Sequence, residues 1–240
     1  MDKLRLCASE LIGTFVLVLI GVGAVNGAKA DAQAGVDLLA IATAFGIAVA
    51  VGVAATGHIS GAHINPAVTL SLLAAGKIKA ADAAAYWVSQ LVGAVLAALA
   101  LEALLGKGAA AAGATTVATS LSLAQGVAIE AVLTFILVLV VFGTAVDMRA
   151  HKIPALFIGA TVAADILVGG PFTGASMNPA RSFGPALIGG VWDHHWVYWV
   201  GPLIGGALAG LLYTTLFLPR TGAEALPEVR PDAPRSAGRR

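Results

Sequence analysis

Long apolar segments separated by short polar ones make up most of the chain. A helix needs about 20 mostly apolar residues to cross a bilayer. Six segments are of about this length, the fifth being short: residues 4–25, 36–56, 83–105, 123–146, 154–168 and 196–218. Two further apolar segments, 65–75 and 178–189, would extend only about 16 Å as helix, roughly half of a hydrocarbon core. The pattern predicts six membrane-spanning helices and two half-length helices.

Composition strengthens the membrane assignment and removes several classes of function. The 240 residues are 58% hydrophobic and 11% charged, with a mean hydropathy of +0.89, whereas soluble domains carry roughly 25% charged residues. The formal net charge is +1, so no nucleic-acid partner is indicated. Cys7 is the single cysteine, which leaves neither a disulfide nor a thiolate metal site within the chain. We expect membrane lipid as a partner, and no cofactor or metal.

Each half-length segment opens with the same three residues. The first motif is Asn65, Pro66 and Ala67, the second is Asn178, Pro179 and Ala180, and a loop of small residues precedes each. Asn is a good N-cap and Pro is favoured at the first helical position, so each loop leads into a helix N-terminus. Irregular backbone at membrane depth is tolerated only where it is buried in protein or lines water. The motifs therefore suggest a water-filled path along two loops.

The two halves of the chain, about 4–105 and 123–218, resemble each other. Residues 10–15 correspond to 130–135, the Asn-Pro-Ala motifs correspond to each other, and 86–88 correspond to 198–200. Three spans per half is an odd number, so the halves form an inverted repeat. The half-helices then meet near the midplane with their positive dipole ends toward the lumen. There Asn65 and Asn178 can donate N–H groups to passing water.

The distribution of Lys and Arg predicts the orientation of the spans. One side would carry Lys3, Arg5, Lys77, Lys79, Arg149, Lys152 and the five arginines after residue 218, and the other only Lys29 and Lys107. Because Lys and Arg concentrate in cytoplasmic segments, we expect both termini in the cytoplasm and the protein in the cell membrane. Residues 1–218 would form the channel domain. Prolines and charges predict a disordered cytoplasmic tail over 219–240.

The two motifs, residues 60–63 and the Arg181-Ser182 pair resemble the aquaporin, or major intrinsic protein, family. The likeness extends over about 4–218. It implies an all-α membrane protein with six transmembrane helices and two re-entrant half-helices in an inverted repeat. It also implies a homotetramer with one pore per subunit and passive permeation of water or small neutral solutes, not an enzyme.

The resemblance also implies residue roles. The family's pore carbonyls would here belong to Gly61, Ala62, His63, Gly174, Ala175 and Ser176. Glu10 and Glu130 match family residues that accept hydrogen bonds from N–H groups of the re-entrant loops. We favour this supporting role over a proton relay.

Four residues match the family's outer constriction, its selectivity filter: Phe45, Ile166, Ala175 and Arg181. Arg181 is a cation within the membrane, where charge is costly and usually functional. Ile166 stands where water-selective members usually carry His, so we expect a wider and more apolar filter. The combination resembles archaeal-type aquaporins most closely, and also plant tonoplast members. We predict a water channel that also leaks glycerol, ammonia and hydrogen peroxide and excludes ions and protons.

Two alternatives remain open from the sequence. Ser182 stands where glycerol facilitators carry Asp, which argues against a glycerol-preferring facilitator without excluding it. A secondary transporter also uses inverted repeats and broken helices. It would need a coupling-ion site, for which Glu10, Glu130 and Asp165 are the candidates within the spans. The pattern assigns no role to Asp165.

Overall fold

A computed structural model describes residues 3–30, 36–150 and 153–219. Six helices in this part of the chain are long and apolar enough to cross a membrane. They are α1 (Lys3–Ala30), α2 (Leu38–Ser60), α4 (Ala80–Leu105), α6 (Leu123–Val141, extended by a π-helical turn over Phe142–Val146), α7 (Pro154–Thr173) and α9 (Val197–Leu216). The predicted all-α architecture with six spans is confirmed. Residues 220–240, most of the predicted tail, lie outside the described residues.

Two half-length helices complete the fold, as predicted. Helix α3 (Pro66–Ala74) has 9 residues and α8 (Pro179–Gly189) has 11, which correspond to about 14 and 17 Å. Asn65 and Asn178 are their N-caps, and a proline occupies the first turn of each. The two half-helices contact each other. Each re-entrant loop therefore turns into helix inside the protein.

The packing of helices repeats between the halves. Helix α1 packs on α2 and α4, as α6 packs on α7 and α9. Each half-helix packs on the last span of the opposite half, α3 on α9 and α8 on α4, while α2 and α7 pack on each other. This exchange of half-helices interlocks the repeats.

Glycines at matching positions allow the spanning helices to approach closely. A Cβ on Gly93 of α4 would collide with the carbonyl oxygen of Leu11 on α1. At the corresponding position of the second half, a Cβ on Gly205 of α9 would collide with the carbonyl oxygen of Ala131 on α6. Lipid gives no hydrophobic drive to helix association, so such close packing contributes directly to stability.

Two spans, α1 and α7, continue five residues beyond their predicted ends. Helix α1 continues to Ala30 because Asn26 and Lys29 donate hydrogen bonds to the carbonyls of Ala109 and Ala112, at 2.9 Å each. These acceptors belong to α5 (Ala109–Ala112), a one-turn helix in the connection between the halves. Helix α7 was predicted to end at residue 168, before a Gly-Gly-Pro sequence, but continues to Thr173. There Gly169 packs against Leu133.

We expect Gly205→Ala to destabilise the protein by about 1–3 kcal/mol, because its methyl group must push α9 away from α6. The matched control is Gly27→Ala on α1, where an added Cβ meets nothing within 4 Å. That change should be neutral or slightly stabilising, since Ala is the better helix former. Thermal unfolding in detergent measures both. Equal melting temperatures for the two variants would contradict the close-packing argument.

Candidate functional site

A cavity of about 220 Å³ runs between the two repeats. One wall is polar and comes from the re-entrant loops and the N-caps Asn65 and Asn178. The other wall is apolar and comes from α1, α2, α6 and α7, with residues such as Val49, Leu137 and Val162. A narrow path with one hydrogen-bonding side and one apolar side suits small polar molecules.

Each re-entrant loop is held by one buried carboxylate. Glu10 accepts from the backbone N–H groups of His63 at 2.9 Å and Ile64 at 2.6 Å. Glu130 accepts in the same way from Ser176 at 2.9 Å and Met177 at 2.8 Å. Both glutamates are fully buried. This is the arrangement that the sequence analysis expected of Glu10 and Glu130.

Hydroxyl groups at the ends of α2 and α7 extend this support. Ser60 donates to Glu10 and Thr173 donates to Glu130, each at 2.7 Å. The same two hydroxyl oxygens accept from the backbone N–H groups of Ala62 and Ala175. Glu10 has one more side-chain donor than Glu130, because Gln90 Nε2 donates to it at 2.8 Å.

The loops need this support because their backbone is strained. Ala62, Ile64, Ala175 and Met177 all have positive φ, between 42° and 53°. That conformation costs about 1–2 kcal/mol for a residue with a Cβ, and more for a β-branched residue such as Ile64. Its effect is to turn successive loop N–H groups toward one carboxylate.

The two motifs are tied to each other at the centre of the cavity. Asn65 Nδ2 donates to the carbonyl of Met177 at 2.8 Å, and Asn178 Nδ2 donates to the carbonyl of Ile64 at 2.9 Å. The Oδ1 atoms accept from the backbone N–H groups of Ala67 and Ala180. An amide nitrogen carries two hydrogens, so each Asn retains one N–H beyond its contact with the other loop. The sequence analysis did not foresee these crossed contacts.

The loop carbonyls predicted to face the pore have a distinctive environment. Five of the six residues line the cavity: Gly61, Ala62, His63, Ala175 and Ser176. Gly174 lies beside Thr115. Within the described part of the chain, no protein donor bonds to any of the six carbonyl oxygens. The carbonyl oxygens of the five cavity-lining residues are therefore available to molecules in the cavity.

The four residues matched to the filter line the same cavity. The Arg181 guanidinium carbon lies 4.8 Å from the centre of the Phe45 ring. Arg181 is 5% exposed, and its Nη1 donates to the carbonyl of Gly113 at 2.8 Å. Ala175 packs near Gly169 on α7, one turn beyond Ile166. The structure thus brings together residues that are up to 136 positions apart in sequence.

The connection between the halves contributes residues that the sequence analysis missed. Besides the Gly113 carbonyl, Thr115 donates from its hydroxyl to Ser182 at 2.8 Å. The backbone N–H of Ala118 donates to the carbonyl of Phe172 at 2.7 Å, which fixes the connection against α7. The segment of alanines, glycines and threonines carries no pattern that separates it from an ordinary surface loop.

Gly21 on α1 is a second residue that the sequence analysis missed. A Cβ at Gly21 would collide with the ring of Phe45. The glycine therefore provides the space in which the ring lies.

Asp165 lies next to Ile166 in sequence but does not line the cavity. It is 4% exposed, and its Oδ2 atom has no hydrogen-bond partner among the described residues. The described residues also contain no group of three or more His, Cys, Asp or Glu side chains arranged to hold a metal ion.

A bundle of six spanning helices, with two half-helices that deliver polar loops to a central cavity, defines a membrane channel with re-entrant loops. The chain belongs to the major intrinsic protein family, whose model matches residues 1–213. It is 48% identical over 229 residues to Aquaporin TIP4-4 of Zea mays, covering 93% of this chain and 90% of that protein. It is 45% identical over 225 residues to Aquaporin TIP2-1 of Arabidopsis thaliana, covering 91% and 89%.

A solved structure has the same fold. The aquaglyceroporin from Plasmodium falciparum matches with a TM-score of 0.82 and 26% identity, over 90% of this chain and 97% of that one. The protein is thus an integral, multi-pass membrane channel of the aquaporin type and not an enzyme.

We expect Gly21→Ala to lower water permeability about twofold or more, because the new methyl group pushes the Phe45 ring into the cavity. The matched control is Gly23→Ala on the same helix, where an added Cβ meets only Leu101 Cδ2 at 3.8 Å, an ordinary contact. Stopped-flow shrinkage of proteoliposomes measures both variants. Similar permeability in both would show that the space behind Phe45 does not control the pore.

Proposed function

We propose that the protein is a passive channel that conducts water and leaks small neutral solutes, namely glycerol, ammonia and hydrogen peroxide, while it excludes ions and protons. The observation that carries the proposal is the set of loop carbonyls along one wall of the cavity that have no donor among the described residues. A molecule that enters the membrane loses its hydration, and an unmet polar group costs several kcal/mol there. Successive carbonyl acceptors offset that loss.

Exclusion of cations is assigned to two positive regions. The remaining N–H groups of Asn65 and Asn178 and the N-terminal ends of α3 and α8 create a positive potential at mid-cavity. The guanidinium of Arg181 adds a full positive charge where the cavity passes Phe45. Both favour an oxygen lone pair over a cation. The reciprocal Asn contacts support this proposal, because they fix the donors in place.

Leak of larger neutral solutes is assigned to Ile166 and Ala175. An Ile offers no hydrogen bond to water, and Ala leaves space beside Arg181. The similarity to a protein named an aquaglyceroporin is compatible with such a leak. A glycerol-preferring facilitator therefore stays the main alternative. The closer likeness of the filter to archaeal-type aquaporins stays a prediction, which the plant relatives do not support.

A secondary transporter is the less favoured alternative. Its candidate ion ligands within the spans would be Glu10, Glu130 and Asp165. Glu10 and Glu130 are occupied by loop N–H groups, and Asp165 does not line the cavity.

The membrane and the assembly are also part of the proposal. We propose a homotetramer with one pore per subunit and both termini in the cytoplasm. The cell membrane was the location expected from the sequence, and similarity to the plant TIP proteins favours an intracellular membrane as the alternative. Cross-linking in the membrane tests the tetramer, and protease access to the tail in sealed vesicles tests the orientation.

One vesicle preparation can test the transport proposal. Stopped-flow measurements would follow water, glycerol, ammonia and hydrogen peroxide, with protein-free vesicles as the reference. We expect fast water flow with low activation energy, slower flow of the other solutes, and no saturation. Saturable uptake driven by a proton gradient would overturn the channel in favour of a transporter. Glycerol flow that exceeds water flow relative to the reference would favour the facilitator.

We expect Ile166→His to lower glycerol permeability by about fivefold or more while water permeability persists, because the ring narrows the filter and adds a donor for water. Ile166→Leu, which keeps an apolar side chain of similar volume, is the control and should change the ratio little. The glycerol-to-water permeability ratio is the measurement. An equal loss of both permeabilities would count against a filter at Ile166.

We expect Arg181→Val to increase proton or cation leak, because it removes the one charged side chain that lines the cavity among the described residues. A fixed positive charge in a site of low dielectric raises the energy of a nearby cation, and the substitution removes that barrier. A pH-sensitive dye inside the vesicles reports the leak under a potassium diffusion potential. Leak unchanged from wild type would refute the proposed role of Arg181.

A further inference from the structure

A cluster of polar residues lies at the end of the cavity opposite Arg181. Asp147, which follows the π-helical turn directly, is 8% exposed. It accepts hydrogen bonds from the backbone N–H of Arg149 at 3.0 Å, from Arg149 Nε at 2.9 Å, from Arg149 Nη2, and from the Tyr213 hydroxyl at 3.2 Å. Arg149 Nη2 also donates at 2.6 Å to the carbonyl of Phe217. We call Asp147, Arg149 and Tyr213 the strap.

The strap joins the turn after α6 to the C-terminal end of α9. Tyr213 lies on α9, and the Phe217 carbonyl is one of the acceptors that a helix leaves open at its C-terminus. A cation at this end also interacts favourably with the helix dipole. The Tyr213 ring contacts the rings of Phe142 and Phe217, with centroids 5.9 and 5.3 Å apart. The strap therefore combines charge, hydrogen bonds and aromatic packing.

The same turn shapes the wall of the cavity. The backbone N–H of Asp147 bonds to the carbonyl of Phe142 at 2.9 Å, five residues earlier, which closes the π-helical turn. Such a turn holds one residue more than an α-helical turn. Along α6, Leu137 and Val141 line the cavity at α-helical spacing, and both Ala145 and Val146 follow them. In a regular α-helix Val146 would point about 140° away from Val141.

Val146 thereby joins a ring of apolar side chains. Each of the neighbouring elements contributes the cavity-lining residue that lies farthest along the helix from the Arg181 end: Val53 on α2, Leu72 on α3 and Ile158 on α7. Among the residues that the structure describes, no charged side chain lines this end of the cavity. Hydrophobic constrictions control conduction by limiting width and wetting.

We propose that the strap is a positioning device that holds the π-helical turn closed, so that Val146 completes an apolar constriction at the end of the pore opposite Arg181. Val146 is then part of a second constriction that limits flow, in addition to the filter at the other end of the cavity. This inference rests on the proposed channel function. It assigns to Asp147, Arg149 and Tyr213 a role in conduction although none of them lines the cavity.

Asp147 stays ionised over the physiological pH range, so the hydrogen bonds of the strap do not change there. The hydrogen bond from the Arg149 side chain, helped by the Arg149 backbone N–H and Tyr213, lowers the pKa of Asp147 to about 2, against the opposing effect of burial. A carboxylate with a lowered pKa stabilises the fold above its ordinary pKa, here 3.8, and loses that contribution as pH falls through about 2. Asp147 should therefore give no change in permeability between pH 5 and 8.

The test is a mutant cycle between the constriction and the strap. Val146→Phe should lower water permeability about threefold or more, and Val146→Ala should raise it, because the constriction becomes narrower or wider. Val140→Phe is the control on the same helix, since Val140 lies in the outer groove between α6 and α7. The second background carries Asp147→Asn with Tyr213→Phe, which weakens the strap by removing the carboxylate charge and the tyrosine hydroxyl but keeps the volume of both side chains.

In this weakened-strap background we expect the effect of either Val146 substitution to fall to about half or less, because Val146 is held less firmly in the wall. A purely structural role for the strap would lower stability and leave the Val146 effects intact. Equal effects in both backgrounds, or no effect of Val146, overturn the inference while wild-type water flow still supports the channel. If Val146→Phe does not assemble, Val146→Ala decides between the same outcomes. Wild-type vesicles without water flow overturn the channel and this inference together.

Discussion

Two buried carboxylates stabilise the two re-entrant loops, whose strained backbone would not be stable without them. Glu10 and Glu130 each collect two consecutive backbone N–H groups from a loop in which residues with side chains adopt positive φ. A bare carboxylate would be costly at this depth, and so would the unpaired N–H groups. The hydrogen bonds between them therefore offset both the cost of burying the carboxylate and the cost of burying the N–H groups. The wall of the cavity follows from this support, because the held loops line it with residues whose carbonyls accept no hydrogen bond from the described part of the protein.

Because the chain is an inverted repeat, the same local arrangement supports both re-entrant loops. The second half repeats the glutamate, the hydroxyl at the helix end, the strained loop and the capping Asn, and the crossed Asn contacts then join the two copies. The copies differ in the number of donors to the glutamate. Gln90 gives Glu10 an extra donor, whereas Pro202 stands at the corresponding position behind Glu130. Glu10 thus accepts four hydrogen bonds and Glu130 accepts three.

Much of the fold could be predicted because membrane helices follow rules of length and hydrophobicity. The six spans, the two half-helices and the glutamates in mid-span were all visible as patterns. The end of α7 was not, since a Gly-Gly-Pro sequence normally stops a helix and only packing against α6 lets it continue. The π-helical turn was also missed, because one extra residue in an apolar helix leaves no trace in hydropathy. A hydrogen bond from a side chain to a distant backbone carbonyl, such as that from Arg181 to Gly113, has no signature in the sequence pattern.

The connection between the repeats has a consequence for how this architecture can vary. In an inverted repeat the middle segment needs only to reach from one half to the other, and its length would be expected to change freely. Here Gly113 anchors Arg181, Thr115 bonds to Ser182, and the packing of Gly113 against Val22 of α1 fixes its place. Insertions there would alter what passes through the pore. If the two halves were produced as separate chains, the connecting segment would have to form its contacts with Arg181 and Ser182 again before the pore regained its selectivity.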